Sequence, residues 1–118
     1  MLVDAPCSGT GTWRRNPELR LRPLDLPALA ALQLDILSTA ARLVRPGGRL
    51  VYATCSLLDE ENEAVVAAWL ETTQAFVRVA PASVDPVLAP LTQNEALVML
   101  PHRHHTDGFF AARFERRV

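Results

Sequence analysis

The 118-residue sequence contains no lysine; its 12 basic residues are all arginine. That excludes a phosphate-cradling P-loop, which must end in Gly-Lys-Ser/Thr, although Gly9-Thr10-Gly11-Thr12 supplies a glycine-rich bend. No stretch approaches the roughly 20 apolar residues of a membrane span. No charged segment followed by a short apolar run and a cleavage site opens the chain, so a cytoplasmic protein with no membrane partner is expected. Only two cysteines occur, Cys7 and Cys55, too few for a disulfide framework and, without an export signal, expected as free thiols. Neither sign of charge is in excess. With 12 basic and 13 acidic residues the net charge is −1, so no global attraction to nucleic acid is built in. Any such attraction must be local, and Arg14, Arg15, Arg20 and Arg22 gather on one short segment, where the planar guanidinium fork suits phosphate.

A chain of this length with 49% hydrophobic residues forms one folding unit at most, with a modest core. Residues 1–4, "MLVD", read as the end of a strand. The polar segment after the glycine-rich bend, broken by Pro17 and Pro23, reads as a loop with at most a helical turn. From Asp25 the pattern changes: Leu29, Leu32, Ile36, Ala40 and Leu43 recur at three- and four-residue steps, Asp25 is a candidate N-cap, and Pro46-Gly47-Gly48 is a stop signal. These predict an amphipathic helix over 26–45. The run "RLVYAT", 49–54, has the composition of a buried parallel strand.

A second helix is predicted from about Asp59, with Val65, Ala68 and Trp69 on its buried face. The acid cluster Asp59, Glu60, Glu61 and Glu63 then sits in a first helical turn, where carboxylates meet the helix dipole favourably. "FVRVAP" at 76–81 reads as a strand and the proline-containing segment after it as irregular surface chain. The tail, "EALVMLP" and "FFAARFERR" around a polar turn with Gly108, predicts an antiparallel hairpin at the end of the sheet. The overall fold class is α/β.

Strand, helix, strand, helix, strand describes parallel strands joined by crossovers, and parallel strands finish at one edge. Cys7 follows Asp4 at the end of one strand and Cys55 follows Thr54 at the end of the next. If those strands are neighbours, about 4.8 Å apart, both thiols open onto the crevice where open α/β sheets bind ligands. Asp4 at that edge, and backbone free to approach a ligand at Gly9 and Gly11, make an active site the better reading of the pair. Two other chemistries fail on spacing. A cysteine phosphatase needs an arginine where Trp13 stands, with Arg14 one place late. His102, His104 and His105 beside Asp107 crowd one turn too closely for tetrahedral metal coordination.

"DAPCSGTG" (4–11) followed by "RRNPE", then "PGGRLVYATCS" (46–56) with "EEN" behind it, then "LPHRHHTDGFFAARF" (100–114), resembles the C-terminal half of the RNA cytosine-5 methyltransferases of the Nop2/Sun family. The bacterial Sun (Fmu) type, which acts on 16S ribosomal RNA, is the most similar. The resemblance covers nearly the whole chain, and a Pro-Cys motif paired with a Thr-Cys-Ser motif makes it specific. It implies a Rossmann-like, S-adenosylmethionine-dependent methyltransferase sheet and a ribosomal RNA substrate. It also implies a role for each site residue. Cys55 matches the nucleophile that adds to C6 of cytosine, and Cys7 the second cysteine, which helps to release the adduct. Asp4 matches the aspartate that contacts the base; Asp4 and Pro6 fall beside the methyl donor. The arginines Arg14, Arg15, Arg20 and Arg22 are the expected contacts to RNA phosphates, and a strand end facing electropositive loops is the expected means of ionising Cys55. His105 departs from the pattern, standing where the family often has glycine.

The family's cofactor-binding first half has no counterpart before Asp4. The chain is therefore expected to be the C-terminal part of a catalytic domain, inactive alone, pairing with a missing half or self-associating along its incomplete sheet. A catalytically silent RNA- or protein-binding remnant is the alternative.

Overall fold

The computed structural model describes residues 1–118. Its longest helix, α1, spans Leu26–Arg42 and starts where Asp25 accepts a hydrogen bond from the Ala28 amide at 3.2 Å. The chain leaves it through Gly47, whose φ of 78° is the left-handed conformation that glycine adopts without penalty. Strand β1, Leu2–Asp4, then pairs in parallel with β2, Arg49–Thr54, with Leu2 opposite Val51, Val3 opposite Tyr52 and Asp4 opposite Ala53. Helix α2 covers Glu63–Glu71 and strand β3 covers Phe76–Val79. The proline-containing segment forms a one-turn helix, α3, at Pro81–Val84, a 3-10 stretch at Pro86–Leu91 and a two-residue strand β4, Thr92–Gln93. Strand β5, Ala96–Met99, the one-turn helix α4, Pro101–His104, and β6, Phe109–Arg116, complete the chain.

The sheet runs β1-β2-β6-β5-β4, with β3 also paired to β6. The expected antiparallel hairpin is present as β5 and β6, Val98 opposite Phe110, but its long strand is not at the sheet's end. β6 lies between β2 and β3, antiparallel to both. Its alternating burial, with Phe110 and Phe114 nearly or wholly inaccessible and Ala112 fully so, explains the placement. Such a strand at an edge would leave an apolar, unpaired ladder in water. The helix-facing side of the sheet carries Val3, Leu50, Tyr52, Phe110, Ala112 and Phe114, which form one core with Leu37, Val65, Val66 and Trp69. Trp69 is the hinge of that core, edge-on to Phe114 at 4.9 Å and tilted against Phe76 at 5.1 Å.

Two helical expectations need correction. The stripe Leu29, Leu32, Ile36, Ala40 and Leu43 is only in part the buried face of α1, since Ile36 and Ala40 pack against the core but its other members do not. Gln33, Leu37 and Ala41 are buried, whereas Leu32 and Leu43 are 46% and 72% exposed. Two apolar stripes run along this helix, and the inward one is masked by its polar member Gln33, which is drawn in by hydrogen bonds to Pro6 and Glu61. The window Leu26–Leu43 also has the length and mean hydropathy, 1.2, of a membrane span, yet its Gln33 face is spent on the sheet edge. The second helix begins at Glu63, not Asp59. Asp59–Glu61 is a separate 3-10 turn.

Because Trp69 touches aromatic rings from both β3 and β6, Trp69→Ala is expected to cost about 3–5 kcal/mol, read as a fall in the urea midpoint with the slope unchanged.

Candidate active site at the ends of β1 and β2

The parallel ladder of β1 and β2 ends with the Ala5 amide donating to Ala53 O at 2.9 Å. Both chains then turn out at the same edge, and the Cys7 and Cys55 sulfurs lie 3.3 Å apart, in hydrogen-bond contact and half-buried. The expected convergence of the two thiols is thus realised through strand register. Asp4 and Pro6 are exposed beside them, at the free edge of β1.

Three loops meet here through backbone alone. The Gly11 amide donates to Cys55 O at 2.9 Å, and the Gly108 amide donates to Gly11 O at 2.7 Å. A β-carbon at Gly11 would stand 2.5 Å from Gly108 O and 2.6 Å from Cys55 O, both main-chain atoms, so only glycine fits. His105, which departs from the family's glycine, keeps the glycine-like backbone at φ 54°. His104 Nδ1 accepts from the Leu100 amide at 2.9 Å and so serves the turn.

The arginines are divided. Arg15 reaches Asp107 at 2.9 Å and Arg14 lies 3.6 Å from the same carboxylate, both remaining largely exposed. Arg20 and Arg22 are exposed on the next turn. The electropositive setting expected around Cys55 is not what the geometry provides. Burial pushes its thiol up to about 12, and the hydrogen bond and charge of Cys7 and the charge of Asp4 act in the same direction. Arg14 and Arg15 lean on Asp107 instead.

Sequence reasoning missed two residues. Glu61 belongs to no helix dipole: it is fully inaccessible. Its carboxylate accepts from the Ser8 amide (2.7 Å), Ser8 Oγ (2.7 Å), Gln33 Nε2 (3.2 Å) and Ser56 Oγ. Asn62 beside it accepts from Thr54 Oγ1 at 2.5 Å and donates to Ser56 O at 2.9 Å. The available signal was "EEN" itself, a carboxylate and an amide side by side a few residues after a cysteine motif.

A parallel sheet edge with helices on its inner face and a pair of thiols at adjoining strand ends defines part of a Rossmann-like methyltransferase, and the comparisons with known proteins agree. The family model for 16S rRNA methyltransferase RsmB/F matches residues 1–115, and the chain belongs to that family. Ribosomal RNA small subunit methyltransferase B of Thermus thermophilus is 44% identical over 118 residues, covering 98% of this chain and 29% of the relative. The enzyme of the same name from Salmonella arizonae is 41% identical over 119 residues, 99% of this chain and 26% of its own length. Among solved structures, PH0851 superposes with a TM-score of 0.87 at 40% identity, covering 98% of this chain and 26% of that one. NSun6 from Pyrococcus horikoshii, solved with the S-adenosylmethionine analogue SFG, gives 0.71 at 31% identity, covering 98% and 29%. The chain spans about a quarter of the length of the curated relatives it matches.

With its thiol pushed up by burial and by Cys7, Cys55 holds less thiolate at neutral pH than an ordinary cysteine. Alkylation of Cys55 by iodoacetamide, followed by peptide mass spectrometry, is expected to be slow at pH 8 and to climb steadily up to about pH 12. The sign for stability follows: the native state keeps a proton that the unfolded chain loses near pH 9, so stability falls from there upwards. A Cys55→Ala chain is expected to lose less stability over that range.

Proposed function

We propose that this chain carries the two-cysteine catalytic part of an S-adenosylmethionine-dependent enzyme that methylates C5 of cytosine in RNA, with ribosomal RNA as the substrate class. The observation that carries this reading is the 3.3 Å contact between Cys7 and Cys55 at adjoining strand ends beside Asp4. C5 of cytosine is a weak nucleophile until a thiolate adds at C6 and moves the ring's electrons towards C5 and the polar edge. In this reading Cys55 forms the bond to C6, and Asp4 stabilises the charge gathering on that edge. S-adenosylmethionine, when bound, supplies the electrophilic methyl group. Asp4 and Pro6, exposed at the open edge of β1, are the residues of this chain that would border it. Once C5 is alkylated, the ring must lose the C5 proton and expel Cys55, and Cys7 assists that release.

Cys55 is protonated at neutral pH in the chain alone, so its attack is coupled to arrival of the base. The target nucleotide has to enter unstacked, from a single-stranded loop or by flipping. The rest of the cofactor pocket is proposed to come from a further part of the catalytic domain seated along the free edge of β1, an edge otherwise open to a second copy of this chain.

Joined to such a cofactor-binding half, the wild-type chain is expected to methylate RNA, and alone to form no adduct. Cys55→Ala should abolish methylation and trap nothing. Cys7→Ala should attack and methylate but not release, leaving a protein–RNA complex that survives denaturing electrophoresis, and the double variant should leave none. The opposite pattern would exchange the two roles, and no adduct from either single variant would remove the covalent route.

We also propose that Arg14, Arg15, Arg20 and Arg22 hold phosphates flanking the target. Changing Arg14 and Arg15 to alanine should weaken binding to all RNA sequences alike. The slope of log affinity against log salt should become shallower by about one for each phosphate no longer held. Unchanged affinity and slope would leave these two arginines with Asp107 as their whole purpose.

A further inference from the structure

The strand ladder does not by itself hold the two thiols in contact. Its last parallel hydrogen bond joins Ala5 to Ala53. Cys7 and Cys55 each lie two residues further out, where the two loops could drift apart. An error of about 1 Å in such a pair is enough to cost two-group chemistry a hundredfold. Against such drift the Gly11 amide donates to Cys55 O at 2.9 Å and the Leu57 amide to Thr10 Oγ1 at 2.8 Å, and the residues flanking both thiols are joined by one buried carboxylate. Glu61 takes donors from Ser8, the residue after Cys7, and from Ser56, the residue after Cys55, while Gln33 links it to Pro6 O (2.8 Å), the residue before Cys7. Its own main chain is fixed in turn, since Tyr52 Oη donates to Glu61 O at 2.7 Å from the centre of β2. The hydroxyls agree in direction: Ser8 and Ser56 both donate to Glu61 Oε2, which leaves Ser56 Oγ free to accept from the Leu58 amide at 3.0 Å. The apolar core is gathered separately, around Leu37, Val66 and Trp69.

We propose that Glu61 is a positioning residue for the two-thiol chemistry: by binding Ser8 and Ser56 at once, it clamps the Cys7 and Cys55 loops in the register that brings their sulfurs into contact. The inference rests on the reading of Cys7 and Cys55 as the reacting pair. Glu61 touches no reacting atom and acts only through the two serines.

The test reads thiol geometry directly, with neither RNA nor methyl donor present, so an enzyme that fails to methylate leaves the outcome intact. The aromatic disulfide 5,5′-dithiobis(2-nitrobenzoic acid) is added to the chain. One cysteine thiolate attacks it, forming a mixed disulfide and releasing one nitrothiobenzoate. The second cysteine, as thiolate, then displaces the other nitrothiobenzoate and closes a Cys7–Cys55 disulfide. The rate of the second release relative to the first measures how well the thiols are aligned. The wild-type ratio is expected to exceed one and to collapse in urea. Glu61→Gln should lower it by at least about tenfold, because an amide cannot accept from all four donors. Ser8→Ala and Ser56→Ala should each lower it by less. Glu60→Gln, at the exposed neighbouring position, should leave it unchanged. Val66→Ala separates alignment from stability, and should lower the melting temperature while keeping the ratio. Folded Ser8→Ala and Ser56→Ala chains with the wild-type ratio would overturn the proposal whatever Glu61→Gln does, as would an equal fall in Val66→Ala.

Discussion

Three rungs of parallel pairing between β1 and β2 are the constraint on which everything at this sheet edge depends. Leu2, Val3 and Asp4 face Val51, Tyr52 and Ala53, and side chains on a strand repeat every two residues. A slip of β1 by one rung would turn Val3 out of the core, since β2 is held in its own register by β6, and carry the two cysteines out of step along the edge. Core packing and thiol contact are therefore selected by the same register. Burial of Val3 on the helix face supplies the apolar stabilisation that makes the slip costly.

Beyond the ladder, burial has opposite consequences for two neighbouring groups. Glu61 is withdrawn from water entirely, and four donors replace the water it loses. Cys55 is withdrawn less, but it meets a second sulfur and a carboxylate rather than cations, so its ionised form is disfavoured. The low local dielectric is common to both, and the supply of donors decides the result. An edge of this kind holds its framework rigidly while keeping its thiol quiet.

How much of this was legible in the sequence depended on the range of the interaction. Asp25 as a cap, the Pro46-Gly47-Gly48 stop and the strand 49–54 are local signals, and each has its counterpart in the fold. The pairing of Cys7 with Cys55 was legible because crossover topology makes strand ends meet. The phase of α1 was not, since the helix has two apolar stripes and only contact with Pro6 and Glu61 selects the one containing Gln33. Glu61 was hidden among Asp59, Glu60 and Glu63, residues of the same type in ordinary surface roles. Of these neighbours, Glu63 pairs with Arg78. The insertion of β6 between β2 and β3 is a pairing across most of the chain, on which no local pattern reports.

That insertion also sets an order of events for a chain emerging from a ribosome. β6 is synthesised after the three strands it joins, as the shared neighbour of β2, β3 and β5. Until residues 109–116 have left the exit tunnel, β2 has an unpaired edge and Trp69 lacks Phe114, so the sheet stays in three pieces, β1 with β2, β4 with β5, and β3 alone, with apolar surface in water. Consolidation of the sheet waits on β6, and until it pairs, the inner edge of β2 stays open to any other chain that reaches it first.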